Sequence, residues 1–109
     1  IVVDDGCSDA SPTVLPQIAG LRYHRNPQNL GFIGACNAGA GLARGRYLFF
    51  LNNDAAVQPG WLEPLLATYQ ELAHVGLVGS KLIYPDGRLQ EAGGIVFNDA
   101  SGWNYGRFD

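Results

Sequence analysis

Two short apolar runs each end abruptly on oxygen-bearing side chains, and this pairing constrains the fold more than any other feature. Ile1-Val2-Val3 leads into Asp4 and Asp5, and Tyr47-Leu48-Phe49-Phe50-Leu51 leads into Asn52, Asn53 and Asp54. Continuous apolar runs of this length are expected of strands covered on both faces, as in parallel sheets. In open α/β sheets ligands sit beyond the carboxyl ends of the strands. The two acidic ends are therefore expected on one sheet edge.

The segments between them read as alternating helices and strands. Ser8, Asp9 and Ser11 are candidate helix N-caps, and Pro12 suits a first helical turn. Pro16 shortens or kinks that helix. Residues 21–26 form a plausible edge strand, and residues 30–45 a helix rich in Ala and Gly with Gly45 as its C-cap. A strand over 46–51 follows. Leu62, Leu65, Leu66, Tyr69, Leu72 and Ala73 recur at the spacing of an amphipathic helix. Residues 75–84 read as a strand, with 93–98 returning as the hairpin partner of 81–84 after a Pro-Asp-Gly turn. The expected architecture is α/β, a mostly parallel sheet flanked by helices with right-handed crossovers. It divides into a βαβαβαβ core over 1–80 and a hairpin region over 81–109.

With 109 residues the chain is one small domain at most, and 47% hydrophobic against 16% charged residues is the composition of a protein with a core. A net charge of −3 gives no electrostatic footprint for nucleic acid or an anionic membrane. No apolar run approaches the roughly 20 residues of a membrane span, and no signal peptide is expected ahead of Asp4. Cys7 and Cys36 lack metal-site spacing and read as free thiols of a reducing compartment or as one disulfide. Both ends fall in apolar or aromatic segments, the expectation for a piece of a longer protein, incomplete at both ends. An incomplete sheet leaves unpaired edges, which invite self-association.

Asp4 and Asp5 repel each other unless a metal or donor N–H groups relieve the cost. Ser8 and Asp9 serve equally well as plain helix caps. Asn52-Asn53-Asp54 closes a strand as an Asx turn. It also supplies one carboxylate and two amides, enough for Mg2+ or Mn2+ when a diphosphate and water fill the other positions. Gly39, Gly41 and Gly45 lie late in a helix, the wrong context for a dinucleotide fingerprint. They suit close packing, with Gly31 near the site edge. Asn37 is either exposed or bonded inward to the Asp54 loop. His24 and His74 build no triad, and Trp61 and Trp103 suit packing, with an acceptor groove as the other reading of the aromatic tail around Trp103.

Four ordered stretches together resemble the inverting family 2 glycosyltransferases of the GT-A fold. "IVVDDGCSDAS" looks like that family's V-D-D-G-S-x-D-x-S segment, with Cys7 where Ser is usual. "NPQNLGFIGACNAG" is similar to its N-x-G-x-x-x-A-x-N-x-G segment. "ARGRYLFFLNNDAAVQPGWLEPLL" resembles the stretch holding its D-x-D motif, with Asn52 in place of the first acid. "VGLVGSKLIYPDGRLQEAGGIVF" resembles rhamnosyltransferase-like members.

The resemblance implies the following roles. Asp5 bonds the base of a nucleotide-sugar donor (UDP or dTDP), and Asp4 supports it. Asn53 lies near the ribose and phosphates, Gly31 and Asn37 count among the nucleotide-sugar-binding residues, and Asp54 holds the divalent metal on the diphosphate. The general base is expected beyond Asp109, since neither Asp99 nor Asp109 matches its motif. The fragment alone is then inactive. The acceptor is a glycan or lipid-linked molecule, in cell-surface polysaccharide synthesis at the cytoplasmic face of a bacterial membrane.

Two alternatives stand beside it. "IVVDDG" also resembles a response-regulator receiver domain, with paired acids for magnesium, Asp54 as phosphoacceptor and Ser80 and Lys81 as its hydroxyl and lysine. Those two are adjacent here, where a receiver sets them on successive strand ends. A non-catalytic binding remnant of the GT-A fold is the other.

Overall fold

The computed structural model describes residues 1–107, and Asp109 lies outside the described residues. The chain forms two compact units, one of Ile1–Ala55 and one that begins at Ala56.

The first unit opens with strand β1 (Val2–Asp4). Gly6 then turns the chain with φ of +83°, a conformation that a residue without Cβ adopts freely. The Asp9 carboxylate accepts the Ser11 N–H at 2.8 Å just ahead of helix α1 (Ser11–Val14), whose N-cap is Ala10 and none of the expected Ser8, Asp9 or Ser11, with Pro12 in its first turn. As expected from Pro16, the helix stops after one turn and passes into a 3-10 turn (Leu15–Gln17). Strand β2 (Tyr23–Arg25) pairs in parallel with β1, in the register Val2↔Tyr23, Val3↔His24 and Asp4↔Arg25.

Helix α2 (Gly31–Leu42) packs against β1. Its small residues permit a close approach: a Cβ on Gly39 would stand 3.1 Å from Val3 Cγ2. Gly39→Val should therefore overpack this contact at about 1–3 kcal/mol. A urea midpoint indistinguishable from wild type would show that the helix can move away freely. The helix ends at Leu42, three residues before the expected Gly45 cap, and the Arg22 guanidinium donates to the Leu42 carbonyl at 2.9 Å.

The expected strand over 46–51 does not form. Tyr47 through Leu51 are 41–57% exposed and join no ladder among the described residues. A strand exists only where its N–H and C=O groups meet a neighbour. The described part of the unit therefore carries one parallel pair, not a multi-stranded parallel sheet.

The second unit begins with helix α3 (Leu62–Glu71). Glu63 in its first turn suits the helix dipole, and Thr68 Oγ1 donates to the Pro64 carbonyl at 2.9 Å. Leu65, Leu66 and Tyr69 are half-buried, as the periodicity predicts. Leu72 and Ala73 fall outside the helix, because the chain turns extended at Leu72.

The expected strand over 75–84 is reduced to β3 (Leu82–Ile83). Its antiparallel partner is β4 (Leu89–Glu91) and not residues 93–98. The Pro85-Asp86-Gly87 turn explains the difference. Gly87 N–H donates to the Tyr84 carbonyl at 2.9 Å, and Asp86 accepts both Arg88 N–H and Arg88 Nε–H, so the chain folds back at once. Residues 94–96 instead form β5 (Gly94–Val96), paired antiparallel with β6 (Gly102–Asn104). Asp99 closes that hairpin by accepting the N–H and hydroxyl of Ser101 at 2.9 and 2.7 Å. The structure is mixed α/β, with three two-stranded sheets among the described residues.

No apolar side chain among the described residues is fully buried, and the buried residues are Asp4 and Asn26. The centre of the first unit is thus a hydrogen-bonded polar cluster.

Candidate nucleotide-binding site

β1 carries Asp4 to the end of the parallel pair, opposite Arg25 in the register. Tyr23 and Arg25, two apart on β2, reach the same carboxylate: the Tyr23 hydroxyl and Arg25 Nη1 both donate to Asp4 Oδ2. The Cys7 backbone N–H donates to Oδ1 at 2.7 Å, and Arg25 Nη2 donates to the Cys7 carbonyl at 2.9 Å. Asp4 is 2% exposed, and a buried charge survives only when paired and hydrogen-bonded in this way. The Tyr23 hydroxyl first, then the Cys7 N–H and Arg25, hold its carboxyl well below the usual range against the opposing effect of burial. Burial and the neighbouring Asp4 in turn push the Tyr23 phenol up. Asp4 also pushes the Cys7 thiol up.

Asp5 is held differently. Asn26 Nδ2 donates to Asp5 Oδ1 at 2.7 Å, and the Leu30 N–H donates to the same oxygen at 3.0 Å. Asn26 is itself pinned, for its N–H donates to the Asp4 carbonyl at 2.9 Å and its Oδ1 lies 3.2 Å from His24 Nε2. These donors, Asn26 foremost, lower the Asp5 pKa, while burial and Asp4 act the other way. The Gly31 N–H also approaches the Asp5 carboxylate and lowers its pKa further. The repulsion between the two acids, expected to need a metal or ligand, is thus relieved within the chain. Gly31, at φ of +72°, opens α2 directly after Leu30 and so stands at this site's edge.

Asn52 to Ala55 form a tight turn, with the Ala55 N–H donating to the Asn52 carbonyl at 3.3 Å. Asn53 and Asp54 are exposed in it. Among the described residues the Asp54 carboxylate takes no hydrogen bond or ion pair, and Asn53 does not reach Asp4 or Asp5. Asn37 is exposed on α2, which resolves its two readings in favour of the surface. Cys7 and Cys36 are free thiols, as one of the two readings held. Among the described residues no three acids, histidines or cysteines cluster as a ready metal site. No helix there is long and apolar enough to cross a membrane. In the second unit Trp61 is half-buried and lines a cleft of about 340 Å3 with Leu65, Val78 and Lys81, in keeping with a packing role.

The sequence profile of glycosyl transferase family 2 matches residues 1–107. The chain belongs to glycosyl transferase family 2. It is 36% identical over 102 residues to an uncharacterized protein of Sinorhizobium fredii, covering 88% of this chain and 11% of that protein. It is 31% identical over 86 residues to an uncharacterized glycosyltransferase of Haemophilus influenzae, covering 75% and 27% of the two. An O-antigen biosynthesis protein of Myxococcus xanthus is 46% identical over 61 residues, 55% of this chain and 5% of that protein. The chain thus spans about a quarter or less of each of these relatives' lengths. No solved structure matches it. Membership of family 2 implies the GT-A fold and sets aside the receiver-domain alternative.

The residues that build this polar cluster but escaped the sequence reading are Tyr23, Arg25 and Asn26. A signal was present. A parallel strand ending in a buried acid needs a cation or hydroxyl on its neighbour, and the Tyr-x-Arg alternation of 23–25 puts both on one face.

Proposed function

We propose that this chain is the donor-binding part of an inverting, metal-dependent glycosyltransferase that takes a nucleoside-diphosphate sugar. One observation carries the reading. Both oxygens of Asp4 are consumed by protein donors, whereas Asp54 takes no hydrogen bond or ion pair among the described residues. This uncommitted carboxylate falls on the segment where the family resemblance puts the metal.

Asp54 is a single hard oxygen donor group in an exposed turn beside two amides. That donor set fits a Mg2+ or Mn2+ ion whose remaining positions are filled by phosphate and water. Bound there, the ion would neutralise charge on the departing nucleoside diphosphate. Asp5 offers its carboxylate to the base, Asn53 and Gly31 flank the ribose and phosphates, and Asp4 stiffens the loop from inside. Asp99 is tied to Ser101, so no general base is assigned within the chain and no turnover is expected from it alone. The names of relatives in O-antigen and succinoglycan biosynthesis support a glycan acceptor in polysaccharide assembly. Residues 75–97 favour a rhamnosyltransferase-like member.

Thermal unfolding with UDP, dTDP or GDP, each with and without manganese, tests this. A ligand at about 100 times its Kd stabilises the folded state by about 2.7 kcal/mol, or roughly 10 °C or more in midpoint for a chain this size. The expected result is a manganese-dependent rise, abolished in Asp54→Ala, which itself melts like wild type because its carboxylate holds nothing. A cooperative melt that no nucleotide shifts would overturn the reading.

A further inference from the structure

We propose that one face of the β5–β6 hairpin is a platform for a neutral glycan, with Trp103 and Tyr105 each stacking on the C–H side of one sugar ring. This deepens the reading above by giving the acceptor a seat, and it rests on that reading for the choice of a glycan.

The register sorts the side chains. Ile95 stands opposite Trp103, Val96 opposite Gly102 and Gly94 opposite Asn104. Opposite residues share a face, and successive residues alternate between faces. Trp103, Tyr105, Ile95 and Phe97 therefore fall on one side, and Gly94, Val96, Gly102 and Asn104 on the other. All the aromatic rings of the hairpin are on the first side. Trp103 does not pack as expected: it is 58% exposed, and Tyr105 is 61% exposed. Two apart on one strand, these residues are spaced by roughly 7 Å. Successive rings of one glycan can meet them in turn.

Both ends of the hairpin are tied. The Phe97 N–H donates to the Ser101 carbonyl and the Ala100 N–H to the Phe97 carbonyl, which closes a short loop. Asp99 accepts from the Ser101 N–H and hydroxyl within it. At the open end the Tyr105 N–H donates to the Gly93 carbonyl, and the Ala92 N–H to the Tyr105 carbonyl. A surface ordered in advance loses little entropy on binding.

Size and border chemistry choose the occupant. Half-exposed, the three rings and Ile95 present on the order of 300–400 Å2. A stable protein interface takes about 800 Å2 per partner, so the face is too small to hold a second protein or a second copy. It suits a few sugar rings. A sugar is apolar on its C–H faces, which meet the negative face of an aromatic ring, and hydroxylated at its rim. Ser101, two before Trp103, falls on the same side with Asp99 bonded to its hydroxyl, so polar oxygens border the rings. Residues 89–106 hold Glu91 and Asp99 but no Lys or Arg. An acidic sugar or an anionic lipid surface meets like charge there, and a neutral glycan does not.

NMR titration of residues 1–109, without nucleotide or manganese, tests the proposal. The probes are maltotetraose, cellotetraose and chitotetraose, with tetragalacturonate and phosphatidylglycerol vesicles as the acidic comparisons. At least one neutral tetrasaccharide should shift the Trp103 indole N–H and leave that of Trp61 in place. Trp103→Ala and Tyr105→Ala should each weaken its binding by about tenfold. Trp103→Phe, which keeps a ring, should recover most of the loss, and Val96→Ala on the opposite face should change nothing. Tetragalacturonate should bind at least about tenfold more weakly.

No shift with any neutral tetrasaccharide would overturn the proposal. So would binding that survives Trp103→Ala, vesicle or tetragalacturonate binding as tight as that of the neutral glycans, or a dimer in sedimentation that Trp103→Ala dissolves. If Trp103→Ala does not fold, the wild-type indole shifts decide the matter. A manganese-dependent nucleotide effect without glycan binding leaves the donor-binding reading standing and removes this one. Glycan binding at Trp103 without any nucleotide effect does the reverse.

Discussion

Asp4→Asn should lower the melting midpoint of this chain by roughly 10 °C, the range of a disrupted buried network in a small domain. The Asp4 carboxylate accepts from the Tyr23 hydroxyl, Arg25 and the Cys7 N–H, three donors drawn from both strands and the loop between β1 and α1. An amide in its place keeps one acceptor oxygen and turns two protons toward those donors. Arg25 then stands without its counter-charge, and β1 loses its side-chain tie to β2. A midpoint within a degree of wild type would show that the cluster follows the fold instead of holding it.

The same group predicts a pH dependence. Asp4 ionises in the native state well below the ordinary carboxylate range. Asp5 and Asp9 are lowered too. A depressed native pKa means that the unfolded chain takes up protons first as the pH falls. The stability from these carboxylates should be complete above about pH 5 and fall away through about pH 4 and below. In Asp4→Asn this acid limb should be shallower, because its largest contributor is gone. Urea midpoints at a series of pH values measure it.

Gly6→Val is the second large effect, at about 2 kcal/mol or more. Gly6 holds φ of +83°, where a β-branched side chain is strained whatever the space around it. The space is also short, since a Cβ there would lie 3.3 Å from the Asn29 backbone nitrogen. Relaxing this strain moves the Cys7 N–H off Asp4 on one side and Asp5 on the other. Stability and nucleotide affinity should therefore fall together, with Gly6→Ala between Gly6→Val and wild type. A Gly6→Val protein with an unchanged urea midpoint would place the turn outside the cooperative unit.

Much of the first unit was legible in the residues. The apolar start running into Asp4, the Pro12 and Pro16 pair and the small-residue helix each have a local cause, and each appeared near where it was read. The edge strand at 21–26 was legible for the same reason. What failed depended on partners. Residues 46–51 have the apolar character of a strand, but character does not say where ladder hydrogen bonds go, and no strand forms there. Residues 93–98 were assigned to the wrong hairpin because the Asp86–Arg88 contact tightens the turn at 85–87 and captures 89–91 first. The closeness of Asp5 to the start of α2 follows from the fold, and the roles of Asp5, Gly31 and Asp54 toward a nucleotide are proposals. Tyr23, Arg25 and Asn26 were not legible, because their role exists only once two strands are in register.

The exposed run from Tyr47 to Leu51 governs how the protein behaves in bulk. Five consecutive aromatic and aliphatic residues without a charge form the kind of window that stacks between chains. Arg44 and Arg46 precede it, with the Arg46 guanidinium 5.6 Å from the centre of the Tyr47 ring. Two positive charges beside such a window act as gatekeepers, since stacked copies would bring them into mutual repulsion. That protection weakens as salt screens charge, so solubility should fall with rising ionic strength and with concentration.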